Sequence, residues 1–261
     1  MLQAERLARI LKLVREKEFI SNKELQEIFQ VTPITIRRNL KELSRQNLIR
    51  QVHGGAIDIV ESAMTTEPLY KTKSYLNVEK KQAIGKTALE FIKNGDTIIF
   101  DTGTTTIQIA QQVKKRRFNN LTILTNDIKI SNELCDMKDV KIFVLGGELR
   151  KSLYSLSGTF TVDFLKDLRA DKLFLTADAV SKENGVSNVN VEDVPVKKAM
   201  IENSACVILV ADSTKFDKDV FCKVCGWDKI DKVITDEEIS EKYIEFFNDM
   251  NIYHKLGKIN P

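Results

Sequence analysis

Five short runs in this chain hold side chains able to bind or transform a small polar molecule, and each follows a stretch apolar enough to be a strand. They are Asp101-Thr102-Gly103-Thr104-Thr105-Thr106, Thr125-Asn126-Asp127, Gly146-Gly147 with Arg150 and Lys151 beyond, Thr176-Ala177-Asp178, and Ala211-Asp212-Ser213-Thr214-Lys215. In an open α/β sheet, ligands bind beyond the carboxyl ends of the strands. The Gly103–Thr106 loop has the clearest chemistry. A glycine turn before a helix lets backbone N–H groups approach an anion, and the helix's positive end favours it. Threonine hydroxyls add donors, and Lys215 or Arg150 supplies the counter-charge. The loop is neither a dinucleotide fingerprint nor a Walker loop, because neither glycine spacing occurs. Any one strand end reads equally as plain N-capping. Five together point to a site for an anion and hydroxyl groups.

A second set lies near the amino terminus. Residues 1–57 hold 11 Lys+Arg against 6 Asp+Glu, and the remainder 29 against 31, so the basic excess sits in the first fifth. With Ile36 at zero and about 100° per residue, Leu40 falls at about 40° and Leu43 at about −20°, while Lys41, Arg45 and Arg38 fall at about 140°, 180° and 200°. Arg37 flanks them. This helix opens at Thr32 and Pro33 after a short helix and a tight turn, the arrangement that reads a DNA major groove. An ordinary solvated amphipathic helix would show the same pattern taken alone. The next residues favour DNA: 48–52 and 56–60 read as strands joined by His53-Gly54-Gly55, a wing. The expected DNA contacts are Thr32, Thr35, Arg37, Arg38, Lys41, Arg45, Arg50 and His53. Thr35 and Arg38 would read bases, with Lys41 and Arg45 nearer phosphates.

The elements that must position these groups follow from periodicity. Leu7, Ile10, Leu11 and Val14 make one helical face, and Ser21 with Glu24 forms a capping box before the next helix. Strands are expected at 97–100, 121–124, 140–145, 172–175, 206–210 and 232–234, alternating with helical stretches such as 79–93 and a last one bearing Ile239, Tyr243, Phe246 and Phe247. That alternation predicts an α/β fold with a mostly parallel sheet and helices on both faces. The expected layout is a winged helix-turn-helix over 1–57, a linker over 58–78 containing Pro68, and an α/β effector domain over 79–261. At 43% hydrophobic and 30% charged the chain can build a core. No apolar run approaches the roughly 18 residues of a membrane span. The amino terminus, interrupted by Glu5, Glu16 and Glu18, has no leader pattern, so a cytoplasmic protein is expected. Cys222 and Cys225 form a C-x-x-C, but a zinc site needs two more ligands, and His53 and His254 are distant in sequence. No metal and no cofactor are expected.

The run TPITIRRNLKELSRQNLIRQVHGGA closely resembles the DNA-binding signature of the DeoR family of bacterial sugar-metabolism regulators, departing at Asn39, where the family usually has aspartate. DTGTTT, ILTND, LGGELR, GVSNVNVEDVPVKKAMI and ADSTKF resemble that family's effector domain, so the likeness spans nearly the whole chain. It departs again around Thr176–Ala179, where the family more often has glycine. The resemblance implies a fold similar to sugar-phosphate isomerases and coenzyme A transferases. It also implies a phosphorylated sugar or polyol as effector, operator DNA as partner, and a homodimer or homotetramer. Asp101, Gly103, Thr104, Thr105, Thr125, Asn126, Gly147, Asp178 and Lys215 are the implied contacts, to which the loop chemistry adds Thr106, Gly146 and Arg150. The sharpest expectation is one phosphate held jointly by Gly103–Thr106 and Lys215. Two other readings compete. An isomerase fused to a DNA-binding module would use Asp101 or Asp178 with Lys215, but no glutamate stands clearly at a strand end to complete the set. A purely structural scaffold leaves the polar strand ends without purpose.

Overall fold

Leu7, Ile10, Leu11 and Val14 all turn inward from α1 (Gln3–Lys17), as their spacing requires. A computed structural model of the chain describes residues 1–17, 19–59 and 67–259. They fall into two units, Met1–Val78 and Glu79–Pro261. In the first, α1 is followed by β1 (Phe19–Ser21), α2 (Asn22–Phe29), α3 (Pro33–Arg45), β2 (Ile49–Val52) and β3 (Gly55–Asp58). Ser21 caps α2: its hydroxyl accepts from Glu24 N at 3.1 Å while its own N–H donates to the Glu24 carboxylate at 3.0 Å. Ile36, Leu40 and Leu43 of α3 are fully buried against α1 and α2 residues, which fixes which side of α3 faces outward.

β1 was not legible in the sequence because three residues carry too little pattern. It completes a three-stranded sheet in the order β1-β3-β2, with Ser21 opposite Gly55. Only glycine fits at 55, since a Cβ there would strike the Ile20 carbonyl oxygen. Of the stretch read as linker, residues 60–66 lie outside the described residues, as does the end of the expected wing strand, Val60. Tyr70–Tyr75 differs from the expectation: it is a helix, α4, packed on α1 with Tyr70 and Thr72 buried. Six residues of mixed composition, with only Tyr70 and Thr72 buried, carry no helical repeat to read.

The second unit opens with α5 (Val78–Ala88) and β4 (Thr97–Phe100), then α6 (Thr106–Lys115), β5 (Leu121–Thr125), α7 (Ile128–Leu134) and β6 (Val140–Val144). A hairpin of β7 (Glu148–Arg150) and β8 (Ser155–Ser157) leads to α8 (Thr159–Lys166) and β9 (Lys172–Leu175). Next come β10 (Ala179–Ser181), β11 (Gly185–Asn188), α9 (Asp193–Glu202), β12 (Val207–Val210) and β13 (Cys222–Cys225). The chain closes with β14 (Lys232–Asp236), α10 (Glu241–Asp249) and β15 (Tyr253–Gly257).

Seven strands form one all-parallel sheet in the order β15-β14-β12-β9-β4-β5-β6. Six of them stand where the apolar runs predicted. Alternate residues feed two cores: Ile99, Leu124, Leu173 and Leu209 on one face, Ile98, Phe100, Ile123 and Phe174 on the other. β4 lies inside the sheet, between the middle strand β9 and β5, so Asp101 emerges on the carboxyl edge with a strand end on either side. A small antiparallel sheet, β10-β11-β13, was not anticipated. No helix among the described residues is long and apolar enough to cross a membrane.

Candidate functional site

On α3, Arg37, Arg38, Lys41 and Arg45 are all exposed, opposite the buried Ile36, Leu40 and Leu43. Thr32 caps the helix: its Oγ1 accepts from Thr35 N at 3.4 Å and lies 2.9 Å from Thr35 Oγ1, so both threonines sit at the amino-terminal turn. Arg50 is exposed on β2, and His53 is exposed in the turn beside Gly54. The φ of Gly54, 83°, is a glycine conformation. Arg45 bonds Glu42 through Nε at 3.2 Å and Nη2 at 3.0 Å. Arg45 is the exposed partner of this surface pair, which holds its guanidinium only weakly. Asn39, the departure from the family signature, is buried and faces the core rather than the exposed front. Ile34 escaped the sequence reading because one apolar residue before the periodic face carries no signal. It is 76% exposed beside Thr35. It is suited to apolar contact with a thymine methyl group.

In the second unit, β4, β5 and β9 bring Asp101, Asn126 and Thr176 to one edge. Asp101 Oδ2 accepts from Thr176 N at 2.9 Å, from Thr176 Oγ1 at 2.6 Å, and from Lys197 Nζ. Lys197 also donates to Thr176 O at 3.1 Å. The lysine and aspartate side chains are 3% and 0% exposed. At that depth neither charge is tolerable without the other. Lys197 was missed in the sequence, although the run that holds it was noted. Thr176, at the second departure from the family pattern, supplies two of the donors that fix Asp101.

Asp127 organises the neighbouring loop. It caps α7 through Lys129 N at 2.7 Å and Ile130 N at 3.2 Å, and its other oxygen accepts from Thr102 Oγ1 at 3.0 Å and Gly103 N at 3.2 Å. Burial pushes its carboxyl up to about 6, against the pull of those donors. The Gly103 amide is therefore already committed inside the protein. Thr106 Oγ1 donates back to Gly103 O at 3.0 Å. Among the described residues the amides of Thr104 and Thr105 have no acceptor within the chain. A Cβ on Gly103 would approach Thr176 Cγ2 to 2.8 Å, so glycine permits the β4 and β9 loops to touch.

The other expected residues divide. Thr125 Oγ1 accepts from Asp127 N at 3.0 Å, and Asn126 Nδ2 donates to Leu156 O at 3.1 Å. Gly146 O accepts from Thr161 Oγ1 at 2.5 Å, and Gly147 takes φ 148° with no room for a side chain against Thr161 and Ser157. Arg150 pairs with Asp193 at 2.5 Å, which ties the β7–β8 hairpin to the start of α9. Asp178 Oδ2 accepts from Val189 N at 3.1 Å. Lys215 follows β12, two strands from β4, beside Asp212. Burial would raise the Asp212 carboxyl, but Lys215, Lys81 and Lys80 with the Thr214 hydroxyl hold it below the usual range. Among the described residues no hydrogen bond or ion pair joins Lys215 to the Gly103–Thr106 loop. Cys222 and Cys225 lie three apart on β13, so their side chains leave opposite faces of the strand. Burial pushes the Cys225 thiol up to about 11, away from the thiolate a metal or redox site uses.

Residues 6–62 match the family described as DeoR-like helix-turn-helix domain, and residues 76–237 match that described as DeoR C terminal sensor domain. The chain is 33% identical over 256 residues to the glycerol-3-phosphate regulon repressor of Escherichia coli K12, covering 98% of this chain and 100% of that one. It is 31% identical over 248 residues to the lactose phosphotransferase system repressor of Lactococcus lactis, covering 95% and 96%. Among solved structures, ribose 5 phosphate isomerase A from Neisseria gonorrhoeae overlaps 57% of this chain and 56% of its own, at 15% identity and TM-score 0.39.

Proposed function

The chain belongs to the DeoR family of helix-turn-helix regulators, and we propose that it represses sugar-metabolism genes under the control of a phosphorylated sugar or polyol bound at the carboxyl edge of its parallel sheet. The observation that carries this is the two-sidedness of α3: three core residues on one side and Arg37, Arg38, Lys41 and Arg45 in solvent on the other. Relatives of nearly equal length are named as repressors of a glycerol-3-phosphate regulon and of a lactose phosphotransferase system, which supports a phosphorylated effector. The phosphate would be taken by the Thr104–Thr106 end of the loop, with Lys215 as counter-charge. Arg150, Gly146, Gly147 and Asp178 would line the flanks. Such a regulator works in the cytoplasm, and reading a two-fold operator asks for a homodimer or homotetramer.

We read the site as a sensor and not an isomerase. Asp101 or Asp178 would be the general base of an isomerase; one oxygen of Asp101 is saturated by Lys197 and Thr176, and Asp178 Oδ2 accepts from Val189 N. A sensor gains from ground-state binding, which does not accelerate chemistry. The test has two arms. A panel of phosphorylated sugars and polyols is screened for thermal stabilisation, where a ligand at 100 times its dissociation constant adds about 2.7 kcal/mol. Each hit is then tested for its effect on binding to DNA selected from a random pool and for turnover by NMR. A hit that stabilises the protein but leaves DNA affinity unchanged defeats the regulatory reading, and turnover abolished by Asp101→Asn establishes the enzyme.

A further inference from the structure

Two buried acceptors at the carboxyl edge of the sheet lack a donor among the described residues. Asp101 Oδ1 and Asn126 Oδ1 have no hydrogen-bond partner among the described residues, and the two residues are 0% and 2% exposed. Neither can turn to find one. Asp101 is held through Oδ2 by three donors, and Asn126 is held through Nδ2 by the Leu156 carbonyl. Phe100 pairs with Thr125. The residues that follow therefore emerge side by side on adjacent parallel strands, roughly 5 Å apart. Asp193 Oδ1 is a third acceptor of the same kind: it also lacks a partner, and it lies one turn before Lys197 on the same side of α9. Buried polar atoms in native proteins are nearly always paired, and an orphaned one costs free energy until a donor arrives.

We propose that the ends of β4 and β5 form a hydroxyl-reading subsite, in which Asp101 Oδ1 and Asn126 Oδ1 accept hydrogen bonds from hydroxyl groups on neighbouring carbons of the effector. The subsite rests on the effector reading above and adds the chemistry at the end of the molecule away from phosphate. Only a group carrying a hydrogen satisfies these oxygens, so a sugar or polyol phosphate is accepted. A sugar-acid phosphate would set a second carboxylate against Asp101, whose charge Lys197 already balances, and is rejected. Lys197 and Thr176 are positioning residues: they hold the carboxylate through Oδ2 and leave Oδ1 for the ligand.

The test is calorimetry on the full chain with glycerol 3-phosphate, D-ribose 5-phosphate and D-glucose 6-phosphate. The tightest of them is then compared with analogues lacking each hydroxyl in turn. Two analogues, missing hydroxyls on neighbouring carbons, should bind about 10-fold weaker or worse, the scale of a hydrogen bond to a charged or buried acceptor. In Asn126→Ala one of those two penalties should vanish, so parent and analogue bind alike. The comparison of ligands on the unaltered chain stands whether or not that variant folds. If every deoxy analogue binds within twofold of its parent, the hydroxyl subsite is overturned while the phosphate reading survives. If none of the three phosphorylated parents binds, the effector reading falls and this inference with it.

Discussion

Lys197 donates from α9 to Asp101 at the end of β4, a partner 96 residues away in sequence, and both side chains are shut off from solvent. The pair joins α9, the helix between β11 and β13 of the small antiparallel sheet, to an inner strand of the large one. Through Thr176 it also fixes β9, so three elements meet at one carboxylate.

Removing one partner of this pair should be severe. Lys197→Met leaves the Asp101 charge buried without a cation, and a loss of about 3–5 kcal/mol is expected in urea denaturation. Lys198→Met is the control. That lysine is exposed on the same helix. Its replacement should stay within about 0.5 kcal/mol. Equal effects of the two would show that the buried pair contributes nothing particular.

Asp127 gives a pH dependence with a definite sign. Its carboxyl is raised by burial to about 6 in the folded protein, above the ordinary value of 3.8. Between those values the folded state binds a proton that the unfolded chain does not, so stability falls as pH rises from about 4 to about 6. The full span amounts to about 3 kcal/mol at most, since one pKa unit is about 1.4 kcal/mol. Denaturation of the unaltered chain and Asp127→Asn between pH 4.5 and 7.5, as a rough window around that carboxyl, checks it. The variant should lack the Asp127 part of the slope, and identical slopes would refute the assignment.

On the proposed reading, DNA recognition should divide along α3. Arg38→Ala should cost about 1–3 kcal/mol at a selected operator and relax base preference. Arg45→Ala should weaken all DNA alike and lower the salt slope by about 1, because a phosphate contact made in place of Glu42 would be electrostatic. Competition binding on operator and random duplex at several salt concentrations separates the two. Wild-type discrimination in Arg38→Ala would remove that residue from base reading.

Lys215→Ala should weaken a phosphorylated effector by about 1.5–3 kcal/mol, the worth of a hydrogen bond to a charged group. Operator affinity without effector should hardly move, since Lys215 lies outside the first unit. Equal affinity of the unaltered protein for a sugar with and without its phosphate would end the case for a phosphate anchor here.

The two faces of α3, the capping box at Ser21 and six of the seven parallel strands were legible from residue order, because each depends on a repeat of about 3.6 or 2 within one short segment. The polar strand ends were legible for the same reason, as they simply follow those strands. β15, Tyr253–Gly257, was not, since at an edge with one half-buried leucine and one buried glycine it has little alternation to show. β10, β11 and β13 were not assembled either, because β10 and β11 are three- and four-residue strands with little pattern and β13 joins them from beyond α9 and β12. Lys197 and Lys198 illustrate the limit most plainly. In sequence they are the same residue twice, and nothing local tells them apart. Which one is buried depends on how α9 sits against β9 and on a carboxylate brought from β4. An ion is stable in the interior only when a counter-ion is placed there by the rest of the chain, and no local pattern records that placement.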